Sequence, residues 1–569
     1  MTKPKNIRAW PQHLPYQLTT PATNLYFNLV VSATRFPEKT VLIDAFGSLT
    51  YRELLCQVDW VAGFLEQDLG VQGAERVMVY MQNCREFIIA YYAILRVGAA
   101  LVPVNPMNKR GEIGHYRADS EARVAFCSKE NLDELLAMDG AADLVAVIVA
   151  NRQASTGDTP ARLPPAAAPA VYDFESAMTA RRVPSYPVAH DPAQLAVILY
   201  SSGTTGSPKG CMHTHQSMMA STNTVAHWMG MQSETVVLAA LPFFHITGMQ
   251  NMMNVPIYVG GTLVLLQRWN RDAAAELIAR HRVTHWNTMP TMLIDFLASP
   301  QIANYDLRSL RRLGGGGAGM PQAVGERIKA LMGVDFLEGY GLSEGMPFMG
   351  NPAAHFKHQC LGVPLFDTDA RIVDPESLRE LPQGEVGEIV ISSDKMFNGY
   401  WQNERATREA FIELDGERFF RSGDLGYVDE DGYFFIVDRL KRMVNASGYK
   451  VWPTEIEALL YEHPDVREAC VIAASDAYRG ETVKAVIVLD EAAKERVSAA
   501  DIILWCKARM AAYKYPRLVD FVDELPKLAT GKIAWRQLQE AERAKDRAAA
   551  VQIDGPAISN RAVSVEPSD

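Results

Sequence analysis

The residues best equipped for chemistry lie between Tyr200 and Gly210, in the run Tyr-Ser-Ser-Gly-Thr-Thr-Gly-Ser-Pro-Lys-Gly. Gly203, Gly206 and Gly210 let the backbone bend so that successive amides point inward. Ser201, Ser202, Thr204, Thr205 and Ser207 add hydroxyl donors, and Lys209 adds a point charge. Such a loop grips a polyphosphate. Pro208 before Lys209 and Gly210 after it break the Gly-x4-Gly-Lys-Ser/Thr spacing of the P-loop, so the grip is of another kind. A flexible Gly/Ser linker is the plainer alternative, disfavoured by the Pro-Lys-Gly stop. The β-prone run Leu195–Tyr200 must deliver the loop. Cys211–Met219 behind it reads as a helix whose N-terminus favours anions.

Other clusters offer complementary chemistry. In Glu338-Gly-Tyr-Gly-Leu-Ser-Glu344, read as a tight loop, Tyr340 can stack on a base and Glu344 can ligate a Mg²⁺ that bridges phosphates. A plain turn with a capping glutamate is the alternative there. The run Leu313-Gly-Gly-Gly-Gly-Ala-Gly-Met320 satisfies Gly-x-Gly-x-x-Gly at Gly314, Gly316 and Gly319, but a glycine run matches that pattern cheaply and Arg311-Arg-Leu is a poor strand to precede it. Asp424, after a Ser-Gly bend, can accept from two ribose hydroxyls. Arg439, Lys441 and Gly448 fall where the sequence texture changes, a natural place for a hinge. Lys532 closes the basic loop Leu525–Ile533, which read alone is solvated surface. His213 with His215, and His281 with His285, lack the acid or cysteine that would complete a metal site. In Asp429-Glu-Asp-Gly432 the spacing of a calcium loop fails, which leaves a turn.

At 569 residues the chain needs more than one core. A formal charge of -11 and the lack of a strongly basic domain argue against nucleic acid as partner. Seven scattered cysteines without a CxxC pair fit reduced thiols in a cytoplasm. Neither a secretory leader nor a membrane span is expected, since Met249–Leu266 is interrupted by polar residues, proline and glycine; peripheral membrane contact stays open. From 40 to 150, strands (Arg76–Met81, Ala100–Val104) alternate with helix (Cys84–Val97), and from Val236 the alternation resumes with the helix Arg271–His281 and the strand Val283–Thr288, which favours parallel sheets. Asn151–Ala170 is a surface excursion. Past Asp367 the texture is β-rich, with a hairpin around Asp429–Gly432. A small α/β unit then follows, with helices Pro453–Glu462 and Ala499–Met510 around strands Glu468–Ala473 and Thr482–Leu489.

Together, Ser-Gly-Thr-Thr-Gly-Ser-Pro-Lys-Gly, Gly-Tyr-Gly-Leu-Ser-Glu, Arg-Ser-Gly-Asp, Asp-Arg-Leu-Lys and Thr-Gly-Lys resemble, in order and spacing over about residues 25 to 545, the adenylate-forming superfamily of acyl-CoA synthetases, luciferases and peptide-synthetase adenylation domains. The nearest likeness is to bacterial medium- or long-chain fatty-acid CoA ligases. The resemblance implies an α/β fold: a large N-terminal domain (1–438) with parallel and mixed sheets in βα layers plus a β-rich subdomain, and a small mobile C-terminal α+β domain (439–545). A disordered tail, 546–569, is expected. The implied reaction joins a carboxylic acid and ATP as acyl-AMP, releases pyrophosphate, then transfers the acyl group to coenzyme A. Aryl, short-chain or branched acids are alternatives, as is an adenylating enzyme that does not use CoA.

By the same resemblance, Ser201, Ser202, Gly203, Thr204, Thr205, Gly206 and Lys209 hold ATP phosphates, and Thr204 and Glu344 hold Mg²⁺. Gly315, Gly316, Gly317, Glu338, Gly339, Tyr340, Gly341, Leu342 and Ser343 border the nucleotide; Asp424, Val437 and Arg439 take the ribose side. Lys532 lies over the reacting carboxylate and phosphate, and His245 and Glu344 join it as catalytic candidates. Lys441 is the pivot, Ser447, Gly448 and Tyr449 face CoA, and His245, Met249, Trp286 and Gly317 line the acyl pocket. Arg442 departs from the aspartate common after the hinge lysine. The oligomeric expectation is a monomer or a homodimer.

Overall fold

In the computed structural model, which describes residues 7–151, 169–188, 190–201, 208–317, 319–439, 442–446, 449–476, 480–528 and 532–553, the chain divides into two compact units. The first holds Met1–Ile436 and Ala529–Lys532; the second holds Val437–Leu528 and Ile533–Asp569. The excursion at 152–168 and the tail beyond Ile553 lie outside the described residues.

The first unit is built on two large sheets. A seven-stranded sheet runs in the order Ala170–Asp173, Ala146–Ala150, Val124–Ser128, Arg76–Tyr80, Ala100–Pro103, Leu195–Ser201, Lys209–Thr214. Its strands are parallel except the last, which returns antiparallel along Leu195–Ser201. These strands are apolar on both faces because helices cover both. A nine-stranded mixed sheet places Arg312–Gly316 between His285–Thr288 and Phe336–Leu342, all parallel, with Gly345–Gly350 turning back antiparallel. The core spanning the two sheets includes the wholly buried helix face Phe87–Leu95 and the methionines Met218, Met219, Met249, Met252 and Met253. A third sheet, Thr368–Val373, Gly387–Ser393, Glu417–Val428 and Phe411–Leu414 with Phe434–Arg439 paired on Glu417–Val428, is the β-rich subdomain.

Three sequence expectations are corrected here. Lys209–Thr214 is a strand, not the start of a helix; it pairs Tyr200 with Gly210 and Ser201 with Lys209, and the helix begins only at His215, capped by the Thr214 hydroxyl. The stretch around Tyr340 is no isolated tight loop: Phe336–Leu342 is a strand, and Ser343 and Glu344 form the turn into Gly345–Gly350. The glycine run is itself a strand, Arg312–Gly316. A Cβ at Gly315 would sit 1.8 Å from the Thr288 carbonyl oxygen, so close strand approach accounts for the absent side chain there. The acidic turn matches expectation: Asp429 caps its own turn through the amides of Asp431 and Tyr433, and Lys357 pairs with both Asp429 and Asp431.

The second unit packs helices Pro453–Leu460, Ala499–Lys507 and Trp535–Ile553 with a sheet in which Val466–Asp476 and Gly480–Leu489 form the long central hairpin. The last helix continues to Ile553, into the span expected to be tail. Arg442 is nearly buried, paired with Glu457 and 3.9 Å from Asp438, and its guanidinium lies over the Trp535 ring. Its departure from aspartate thus serves packing inside this unit.

Candidate active site

The phosphate loop is seen at its two stalks, since 202–207 lie outside the described residues. At the entering stalk, the Tyr200 hydroxyl donates to Asp119 (2.5 Å) and its ring packs 4.5 Å from Tyr116. At the leaving stalk, Trp401 N–H donates to the Gly210 carbonyl (2.7 Å), and Met212 exchanges main-chain bonds with Gly399 and Asn398. The loop's ends are therefore fixed by a helix on one side and by the segment Asn398–Trp401 on the other.

Glu344 stands opposite. Its carbonyl accepts from Phe397 N–H (2.7 Å), and the carbonyl of Ser343 accepts from His213 Nε2 (2.8 Å). Burial holds the His213 imidazole down at about 4, so it is neutral and a fit donor to that carbonyl. The Glu344 carboxylate receives the Tyr400 hydroxyl at 2.8 Å, while Lys209 Nζ lies 4.9 Å from the centre of the same Tyr400 ring. Burial, reinforced by the Glu344 charge, pushes the Tyr400 hydroxyl far above its ordinary range, so it remains a donor. The lysine of the phosphate loop and the acid of the second motif thus meet on one aromatic ring.

Tyr340 and Asp424 are also brought together: the Tyr340 hydroxyl donates to Asp424 Oδ2 at 2.6 Å, and Asp424 is 1% exposed. Glu338 is committed to the backbone, accepting from Met320 N–H at 2.9 Å and from the amides of Gln359 and Cys360; burial nonetheless raises its carboxyl to about 7. Gly317 has φ +87°, and a Cβ there would lie 2.6 Å from Cε and 3.1 Å from Nζ of Lys532, which groups with this unit. His245 follows, buried against Phe244, with Nε2 lacking a hydrogen-bond partner among the described residues. Burial, with the Lys532 charge, holds it at about 4, so the ring is neutral. Its carbonyl starts the π-helical segment Gly248–Asn254 that carries Met249.

Other candidates are not gathered here. Trp286 packs with Leu293 and Phe296 in a separate core cluster from the one containing Met249. Ser202, Gly203, Thr204, Thr205, Gly206, Lys441, Ser447 and Gly448 lie outside the described residues, and Tyr449 opens the strand Tyr449–Val451 in the second unit. Ser201 and Gly316 are strand ends, Gly339, Gly341 and Leu342 lie along Phe336–Leu342, and Val437 with Arg439 lies on Phe434–Arg439. Sequence reasoning missed Tyr400 and weighed His213 only as a metal ligand. The pair Gly399-Tyr400 before Trp401, after Phe397, was the available signal, an aromatic cluster beside a glycine. One carboxylate plus phosphate oxygens is the set Mg²⁺ takes in nucleotide sites, so Glu344 fits that ion. Among the described residues no group of three His, Cys, Asp or Glu side chains offers a cage of protein ligands alone. No helix among them is long and apolar enough to cross a membrane.

Comparison with known proteins identifies the family. Residues 29–401 match the model of the AMP-binding enzyme family, and 455–532 match the AMP-binding enzyme C-terminal domain. The chain is 32% identical over 556 residues to a long-chain-fatty-acid–CoA ligase of Bacillus subtilis, covering 94% of this chain and 98% of the relative. It is 33% identical over 500 residues to a feruloyl-CoA synthase of an Amycolatopsis species, covering 87% and 94%. Among solved structures, ATP-bound MatB from Rhodopseudomonas palustris superposes with a TM-score of 0.80 at 28% identity, covering 91% of this chain and 98% of that one. With the motifs in order, both family regions matched and the phosphate-side and acid-side groups converging, the chain belongs to the AMP-binding enzymes of the adenylate-forming superfamily, and is an ATP-dependent acyl-CoA ligase.

Proposed function

We propose that this ligase activates a medium- or long-chain fatty acid. The observation that carries the adenylation half is the meeting of Lys209 and Glu344 on Tyr400, which puts a phosphate-binding cation and an acid ligand side by side. Glu344 and Thr204 would hold Mg²⁺, which when bound neutralises charge on the phosphates. The fatty acid's carboxylate oxygen attacks the α-phosphorus of ATP, and the bond to pyrophosphate breaks. Lys532 supplies fixed positive charge where two anions must approach, which is worth most in a water-poor site. Asp424, oriented by Tyr340, takes the ribose hydroxyls, and the family resemblance assigns Val437 and Arg439 to the same nucleotide. Glu338, paired beside Gly315, holds the Met320 amide just past the glycine strand, against which the nucleotide would lie. In the second half-reaction the CoA thiolate attacks the acyl carbon and AMP leaves; Ser447, Gly448 and Tyr449 serve that step, with Lys441 as pivot.

The alkyl reading rests on the surroundings of His245. Phe243, Phe244, Met249, Met252 and Met253 are buried along one stretch that ends in the π-helical turn. Sulfur and aromatic surface without charge suits a methylene chain. The family resemblance assigns the neutral His245 and the bare Gly317 to the acyl side with Met249; Trp286, given the same role, packs in a separate core cluster. The long-chain relative supports the same class. A second reading, an aryl acid, draws on the feruloyl relative, 33% identical against 32% for the long-chain one. Pyrophosphate release across straight-chain C2 to C18, branched and aryl acids, with and without CoA, separates the two. The fatty-acid reading fails if an aryl acid has the highest kcat/KM.

The catalytic lysine has its own test. Lys532→Ala should cripple acyl-AMP formation and leave thioester formation from supplied acyl-AMP intact; equal loss in both halves would remove the role given to it.

A further inference from the structure

Tyr400 carries no assigned role, yet its hydroxyl and its ring face both meet residues assigned to the nucleotide site. Its hydroxyl donates to Glu344 Oε1 at 2.8 Å across 56 residues of sequence, and Lys209 Nζ lies 4.9 Å from its ring centre. The ring cannot drift. Its edge packs on Phe397 at 4.9 Å, Phe397 stacks on Phe411 at 5.6 Å, and Phe420 closes the aromatic cluster. The backbone is held as firmly: Tyr400 N–H donates to the Thr407 hydroxyl at 2.9 Å, Tyr400 bridges Cys211, and Trp401 N–H reaches Gly210. The same segment delivers Phe397 N–H to the Glu344 carbonyl. A residue meant only to fill space would not need its hydroxyl on the acid and its face on the lysine.

We propose that Tyr400 is a positioning residue for adenylation: its hydroxyl aims the Glu344 carboxylate at the metal, and its ring face seats Lys209 on the phosphate side. This rests on the reading of Glu344 as the Mg²⁺ ligand given above. Partners that orient a ligating carboxylate control metal affinity although they never touch the ion. The two contacts are chemically separable. Tyr400→Phe deletes the hydroxyl and keeps the ring, whereas Tyr400→Leu deletes both.

The test is equilibrium binding on the full-length protein. Affinity for α,β-methylene-ATP is measured by titration calorimetry with Mg²⁺ and again in EDTA, for wild type, Tyr400→Phe, Tyr400→Leu and Glu344→Gln. The ratio of the two affinities is the coupling between metal and nucleotide. Tyr400→Phe should lower that ratio about tenfold while affinity in EDTA stays within about twofold of wild type. Tyr400→Leu should lower the ratio equally and also weaken binding in EDTA by about threefold, through loss of the cation–π contact. Glu344→Gln should abolish most of the coupling. If Glu344→Gln loses the coupling and Tyr400→Phe retains it, the positioning role is wrong and the metal reading stands. If Glu344→Gln retains it, the metal reading is wrong and Tyr400 has nothing to aim. If Tyr400→Phe weakens binding equally with and without Mg²⁺, the residue is structural only and the proposal is overturned.

Discussion

Gly317→Ala tests whether Lys532 works where the structure puts it. The glycine has φ +87°, a region that costs an alanine about 1–2 kcal/mol. The new methyl would stand 2.6 Å from Lys532 Cε, about 0.8 Å inside ordinary contact, and 3.4 Å from Met289 Cε, which is ordinary contact. The lysine is the far end of a flexible side chain, so it moves and the backbone stays. A displacement near 1 Å at a charge-stabilising group costs on the order of 10²-fold in rate. Acid-dependent ATP–pyrophosphate exchange should therefore fall about a hundredfold, while thioester formation from supplied acyl-AMP changes little. The backbone strain lowers stability by no more than the 1–2 kcal/mol already counted. The decisive comparison is a double-mutant cycle with Lys532→Ala. Once the lysine is gone, adding Gly317→Ala should cost no further exchange activity. If Gly317→Ala costs a hundredfold in both backgrounds, the methyl acts on the nucleotide or the backbone, and the reasoning about Lys532 is refuted.

Two further outcomes follow from the buried groups. Tyr340→Phe removes a 2.6 Å hydrogen bond to the Asp424 carboxylate, worth about 1.5–3 kcal/mol for a charged acceptor; KM for ATP should rise at least tenfold with KM for the acid unchanged, and parallel increases in both would show that Asp424 does not act on the nucleotide. Acid should destabilise the protein between pH 6.5 and 4, because His213, His215, His245 and His285 are each held at about 4 by burial and the unfolded chain binds the protons they refuse. Each contributes about 3 kcal/mol that is complete above pH 6.5 and lost as pH falls to 4. Glu338, raised to about 7, has the opposite sign from pH 4.5 to 7, its stabilisation being lost as pH rises. Glu338→Gln should accordingly steepen the fall in urea midpoint between pH 6.5 and 4.5 and His215→Gln should flatten it; an unchanged slope in both variants would count against these assignments.

Much of the fold was legible because periodicity is a local property. The helix Arg271–His281 lies where its apolar spacing predicts, capped by Asn270 just outside it. The phosphate loop stood out because small, hydroxylated and glycyl residues at fixed spacing have few structural uses, whereas Lys532, read alone as solvated surface, took its expected role only from the family resemblance. What was missed depends on pairing across the chain. Lys209–Thr214 has no strong strand pattern of its own; its register with Leu195–Ser201 makes it a strand, and only the tertiary partner supplies that. The residues Arg311-Arg-Leu looked like a poor strand for the same reason, since the constraint on Gly315 is the Thr288 carbonyl of a neighbouring strand. Tyr400 was invisible because its meaning is a hydrogen bond to a residue 56 positions away.

On the proposed reading, chemistry and selectivity are carried by different kinds of surface in this molecule. Lys209, Glu344, Tyr400, Tyr340 and Asp424 are fixed by directional bonds on strands and the turns beside them, where a lost partner leaves a buried polar group and the penalty is large. The apolar stretch after His245 is held by dispersion and burial, where one methylene more or less shifts binding by only about 1–3 kcal/mol. Changes at Met249 or Met252 should therefore redistribute preference among acids while leaving ATP affinity intact. Changes in the bonded group should reduce adenylation of every acid alike. The Gly248–Asn254 turn joins the two surfaces, since the His245 carbonyl that opens it belongs to the residue whose ring feels the Lys532 charge. On the reading proposed above, acid selectivity is set within one helical turn of His245, the residue whose ring feels the Lys532 charge.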